Sequence, residues 1–276
     1  MFPRAWSIAI FALLGAAATQ AADGVIEINQ AAVEAAGGFP YVITQPGSYV
    51  LTGNLTVDAD NTDAIQVRAE HVHIDLNGFV IQGNDTNGYG VTTFDAESNA
   101  HTPNVVVRNG TVRDWVYGVF IDVGQVINVR GHSNINGIRG FGATVTGCTA
   151  SDNTVDGIVA RIVRDSEAFN NIGAGLWVSE MATGNRVLGN QGSSLLLGDN
   201  SGAQILVRSA AAGLINDNAV TGSPQQIAIK IEDISGLEEP RVAYSGNSVV
   251  GLIEGGVASG CNVINGVLEC PSPAEM

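Results

Sequence analysis

A chain of 276 residues, 45% of them hydrophobic, is long enough to bury a sizeable core, while 35 glycines and only 14% charged residues favour many turns over long helices. Its formal charge of −15 repels nucleic acid and anionic membranes and argues against either as a general partner. The charge is uneven: between Arg108 and Arg164 six Arg face four Asp, so the centre of the chain is where an anionic ligand is best tolerated.

Residues 1–22 read as a secretory signal, with Arg4 as the positive start, Ala5 to Ala18 as the apolar run, and Ala21 and Ala22 as the small-residue cleavage site. The apolar run of 14 residues is shorter than the ~20 needed to cross a bilayer. The mature protein is therefore expected to be secreted, periplasmic or extracellular, and not membrane-spanning once the signal is removed.

The stretch from Asn29 to Gly38 reads as one short helix, capped by Asn29 and ended by Gly37 or Gly38. It is suited to lie as a lid over the first coil of a stacked sheet. Two β-rich runs then flank Pro46-Gly47, a pair suited to a tight turn. In His71 to Leu76, alternation places Val72, Ile74 and Leu76 on one face and His71, His73 and Asp75 on the other. Two imidazoles and a carboxylate on one face suit a metal, but Asp75 would also lie one coil from Arg108 and pair with it. The acidic loop Asp58 to Asp63 lacks the Gly and distal Glu of a calcium-binding loop. From Gly83 to Pro103 runs a polar loop carrying Asp85, Asp95, Glu97 and His101, an insertion of the kind that either lines a binding face or is merely tolerated.

The centre of the chain is periodic. Gly118-Val-Phe-Ile, Gly137-Ile-Arg-Gly, Gly157-Ile-Val-Ala, Gly175-Leu-Trp-Val and Ser194-Leu-Leu-Leu start 19, 20, 18 and 19 residues apart. In phase with them run Asn134, Asn153, Asn171 and Asn190, and the spacing persists more loosely in Asn218/Gly222 and Asn247/Gly251. A period this short leaves no room for a long helix, so each repeat is one small β unit stacked on the next. A leucine-rich repeat is excluded because no leucine occurs between Asn77 and Gly175. Of the three cysteines, Cys261 and Cys270 are placed to close a small loop in an oxidising compartment, while Cys148 suits the stacked core.

These glycine starts and the Asn ladder, with the runs Ile43 to Val57 and His73 to Gly83, resemble the right-handed parallel β-helix repeat proteins, the group that includes pectate lyases. The resemblance implies an all-β, single-domain right-handed parallel β-helix solenoid over residues 23–276, with a short N-terminal capping helix. Its N-terminal cap would cover about 24–50, its coils about 51–254 and its C-terminal cap about 255–276. The Asn ladder would be structural.

Period 2 then sorts the repeat positions. The second and fourth residues of each segment are expected inside, as with Val119 and Ile121. The third form one exposed column, Phe120, Arg139, Val159, Trp177 and Leu196; the fifth form another, Asp122, Phe141, Arg161, Ser179 and Gly198. Phe120, Phe141 and Trp177 are the candidate substrate-binding rings, since aromatics pack on the apolar faces of sugars. Asp122, Arg139 and Arg161 are the candidate catalytic groups, a carboxylate and two cations for chemistry beside a uronate carboxylate. No RxPxxR-type stretch, clustered Asp set, Gly-His-Gly or Asp-Pro-His-Asp signature accompanies them. The expectation is accordingly an exported protein that binds an extracellular polysaccharide or a surface protein along its exposed sheet face, with a polyuronide lyase as the alternative. No cofactor is expected, Ca²⁺ being the one left open.

Overall fold

The computed structural model describes residues 24–85, 88–192, 203–209, 213–222, 226–233 and 242–271. The signal read at 1–22 and the segment Ser194 to Leu197, with Gly198, lie outside these residues.

The chain is a right-handed parallel β-helix in which, after the N-terminal cap, the described coils visit three sheets in the same order. Sheet 1 stacks Tyr41–Ile43, Ile65–Val67, Tyr89–Thr92 and Tyr117–Phe120 on the leading halves of Asn136–Thr146, Ile158–Arg164 and Leu176–Thr183. It continues through Ile205–Ser209 and Ile227–Asp233 to Leu252–Glu254. Sheet 2 runs from Val25–Ile28 and Gly47–Leu51 to Val257–Ala258, and sheet 3 from Leu55–Thr56 to Asn262–Ile264. Inward residues such as Val72, Ile74, Val107, Val119, Ile121 and Val126 are fully buried in one continuous core. At one end of that core the helix Gln30–Ala35 inserts Val33, and Asn29 caps it by accepting from the Ala32 amide at 3.0 Å. At the other end Val267–Glu269 folds back antiparallel on Asn262–Ile264, beside the Cys261–Cys270 disulfide.

The corners explain the ladder. Where sheet 3 turns into sheet 1, Asp114, Ser133, Asp152, Asn170 and Gly189 adopt left-handed backbone, a conformation that Gly, Asn and Asp reach most cheaply. The next residue in each of the last four coils is a ladder asparagine, buried to within 3% of full enclosure. Asn153 donates its backbone N–H (3.1 Å) and its side-chain amide (2.7 Å) to Asn171 Oδ1, and gives its second amide hydrogen to the Gly131 carbonyl at 3.2 Å. Each buried corner is thus fully hydrogen-bonded to its neighbours. The repeat glycines sit under this ladder: a Cβ on Gly157 would fall 2.6 Å from the Gly175 carbonyl oxygen and 2.8 Å from Asn171 Nδ2. Close packing, not backbone conformation, demands glycine there.

Asn218 and Asn247 do not continue this ladder. They belong to a second one at the corner between sheets 2 and 3, in which Asn185 donates to Asn218, Asn218 to Asn247 and Asn247 to Asn262. The first ladder ends instead with Asn190 donating to Gln204 Oε1. The two corners carry the same αL-then-Asn chemistry, so sequence spacing does not separate them. Cys148 occupies a rung of the second ladder, its sulfur accepting from the Val129 amide at 3.4 Å and its own amide donating to Ser166 Oγ. Burial pushes its thiol up to about 12. A thiol-specific disulfide reagent at pH 8 is therefore expected to leave the folded protein unlabelled and to titrate Cys148 only after denaturant is added.

Candidate functional site

The outer face of sheet 1 carries a column set by parallel register: Gln66, Thr92, Phe120, Arg139, Val159, Trp177, Leu206, Lys230 and Glu254. The expected outward column holds at Phe120, Arg139, Val159 and Trp177, with Leu206 rather than Leu196 next in register, and it is not uniformly open. Val159 and Trp177, at 2% and 8% exposure, form a small second hydrophobic cluster with Leu206 on the outside of the sheet. Phe141, 38% exposed, packs its ring against Trp177 at 5.1 Å and 85°. Trp177 therefore supports Phe141 rather than offering a free ring, because three apolar neighbours in register bury each other more cheaply than they hydrate.

Around Phe120 the surface is different. Tyr89, Tyr117 and Phe120 stack on one another with centroids 5.1–5.3 Å apart and near-parallel planes. Tyr89 and Tyr117 face each other across adjacent coils in the position just ahead of the repeat glycine, outside both columns read from the sequence. Burial, reinforced by Tyr117 and Asp63, raises the pKa of Tyr89 against the pull of Arg139, so its phenol stays neutral and able to donate.

Arg139 is the centre of this group. Its guanidinium lies 5.4 Å from the Tyr117 ring, 5.9 Å from Phe120 and 4.8 Å from Phe141. Rings over the plane of a guanidinium leave its N–H groups, which point outward in that plane, to other partners. One is used: Nη1 donates to the Tyr117 hydroxyl at 3.2 Å. Nε is buried and has no partner. Among the described residues no carboxylate pairs with this arginine. Nearby, Asn136 is 1% exposed with both amide atoms unpartnered, and Trp177 Nε1 is likewise buried and unpaired. These orphaned polar atoms therefore gather on one stretch of sheet 1.

The other central arginines are differently placed. Arg161 is held by Glu180, Arg108 pairs with Asp75 on sheet 2 at 3.0 Å, and Arg113 lies 3.5 Å from Asp114. The positive centre legible in the sequence is thus spread over three faces, with Arg108, Arg113 and Arg161 each held by a carboxylate, and Arg139 is the cation with aromatic walls. Asp122 sits half-buried beyond Phe120, its amide directed at Thr93 Oγ1.

The polar insertion supplies the remaining wall. Phe94–Asp95 and Ala100–His101 form a two-stranded antiparallel hairpin that projects from the coil between sheets 1 and 2. Its Phe94 and His101 rings both reach Phe120, at 6.1 and 4.9 Å, and Arg68 tethers it through Asp95 at 3.6 Å. His71 and His73 stay exposed on another face, away from this group.

No protein-family model matches this chain, and no curated protein matches it. Among solved structures, the Dettilon tailspike protein (gp208) aligns with a TM-score of 0.46 and 11% identity, over 83% of this chain and 60% of the tailspike chain. The A-module of the Azotobacter vinelandii mannuronan C-5 epimerase AlgE4 aligns with a TM-score of 0.42 and 11% identity, covering 91% of this chain and 88% of that one. The AlgE6 A-module gives 0.42 and 12%, over 90% and 89%. No helix among the described residues is long and apolar enough to cross a membrane.

Proposed function

We propose that this chain is an exported protein that binds an acidic polysaccharide across the outer face of sheet 1. Arg139 takes a uronate carboxylate, while Phe120, Phe141 and the Tyr89–Tyr117 pair pack on the apolar faces of the sugar rings. One observation carries this reading: a guanidinium held between three aromatic rings, with a buried, unpartnered Nε and no carboxylate neighbour among the described residues. Desolvated and held in place, such a cation forms a stronger charge-assisted bond than a mobile surface arginine. The acidic remainder of the surface is screened beyond ~8 Å at physiological ionic strength, so contact-range attraction at Arg139 outweighs it. In this reading Trp177 buttresses Phe141, and Asp122 and Arg161 border the face.

A second reading, a polyuronide lyase, is favoured by the contact between Arg139 and the Tyr117 hydroxyl. It places a proton-transfer group beside the cation that would neutralise the carboxylate. Affinity electrophoresis of the mature protein against polyuronates and neutral glycans, with and without Ca²⁺, tests both readings when unsaturated product is followed by ultraviolet absorbance. Retention by polyuronate without product supports binding, and growth of absorbance supports the lyase. Equal mobility in every gel, with no product, removes both.

A further inference from the structure

Phe120 is shared by two cationic-capable groups. Arg139 lies over it from the next coil, and His101 meets it edge-on at 4.9 Å and 86° from the hairpin. The hairpin's placement is specific. Thr93 Oγ1 lies 3.2 Å from His101 Nδ1, the Phe94 ring packs at a tilt 5.1 Å from the imidazole, and Asp95 is anchored to Arg68. With Nδ1 engaged by Thr93, Nε2 is the ring nitrogen left to meet a ligand. We propose that His101 is a second anion-recognising group of the same face, neutral and silent when deprotonated and gripping an acidic ligand when protonated, so that acidic glycans bind more tightly as the pH falls. This rests on the acidic-glycan reading of the face.

The charges around the imidazole set the direction. From the Tyr117–Phe120 coil it faces Asp122, which favours the protonated ring; across Phe120 stands Arg139, which opposes it; on its own hairpin Asp95 is occupied by Arg68, Ser98 and the Glu97 amide. Burial holds the His101 pKa below its ordinary value despite Asp122. The free protein therefore keeps His101 neutral at pH 7, and an incoming carboxylate raises its pKa, coupling binding to proton uptake. Uronate carboxyls, with pKa near the ~3.5 of α-carboxyl groups, stay ionised well above that pH, so the change belongs to the protein.

The test is the affinity of the full mature chain for polygalacturonate between pH 7.5 and 5, by calorimetry, for wild type, His101→Gln and Asp122→Asn. NMR titration of the ring protons of His101, with and without the glycan, accompanies it. Expected is a rise in affinity of up to about tenfold per pH unit as the pH falls from the His101 pKa of the complex to that of the free protein, levelling off below it. A flat profile is expected in His101→Gln, and a midpoint displaced to lower pH in Asp122→Asn. The His101 resonances should titrate at higher pH with glycan bound. Binding whose pH profile is flat in wild type, or unchanged in His101→Gln, overturns this inference and leaves the glycan reading intact. Absence of binding at every pH overturns both.

Discussion

Replacing Arg139 with glutamine is expected to weaken polyuronate binding by about 10- to 150-fold, the equivalent of ~1.5–3 kcal/mol for a charge-assisted hydrogen-bonded contact. The effect is large because the guanidinium is already desolvated by Tyr117, Phe120 and Phe141 and gives up little further hydration to the ligand. Arg139→Lys should recover only part of the loss, since a lysine supplies the charge without the planar fork. Phe141→Ala should weaken neutral and acidic glycans alike, by removing a ring face and loosening Trp177 behind it. The contrast between these variants separates charge recognition from ring stacking. Equal affinity of wild type and Arg139→Gln for polygalacturonate, both folded by circular dichroism, would sink the assignment of Arg139.

What the sequence made legible, and what it did not, follows from periodicity. The inward set is correct at Val119, Ile121, Ile138, Ile158, Leu176 and Val178, because stacking in register forces every coil to repeat one alternation. The same logic placed Asp75 opposite Arg108, whereas the Cys261–Cys270 pair was legible from its short separation in the tail. Periodicity also says which way Val159 and Trp177 point, and they do point outward. It does not say what lies over them, and their burial with Leu206 depends on lateral neighbours that alternation ignores. The hairpin that brings Phe94 and His101 to Phe120 is aperiodic, so its fold was outside the reach of repeat spacing. Tyr89 and Tyr117 precede the repeat glycine, outside the positions that alternation sorted, yet their rings stack on Phe120. A usable signal existed in the recurrence of an aromatic Tyr-Gly-Val at Tyr89 and Tyr117, one coil apart.

The ladder that made the fold readable also holds the face together, and Asn171→Ala is expected to show it. Asn171 Oδ1 accepts both the backbone and side-chain N–H of Asn153, while its own amide donates to the Ala150 carbonyl at 3.1 Å and to Asn190 Oδ1 at 2.7 Å. All of these groups are buried, so truncation leaves several without partners at ~1–3 kcal/mol each, for a total of about 3–5 kcal/mol after relaxation. Urea unfolding followed by circular dichroism should show a clearly lower midpoint. In a solenoid, where stability is a sum of neighbouring interfaces, the same change should split the transition by uncoupling the coils on either side. The ladder residue of each coil stands at the entry to sheet 1, as Asn134 stands two residues before Asn136–Thr146, the strand that carries Arg139 and Phe141. Loss of a rung therefore loosens the register that sets those side chains beside Phe120, and glycan affinity should fall together with stability although Asn171 touches no ligand. Asn171→Asp keeps an acceptor for Asn153 but turns an oxygen toward the Ala150 carbonyl. It should be destabilised most at neutral pH and less so in acid, where a protonated carboxyl can again donate to that carbonyl. An unchanged urea midpoint in Asn171→Ala would mean that side-chain stacking alone, without the amide column, sets the register of the coils.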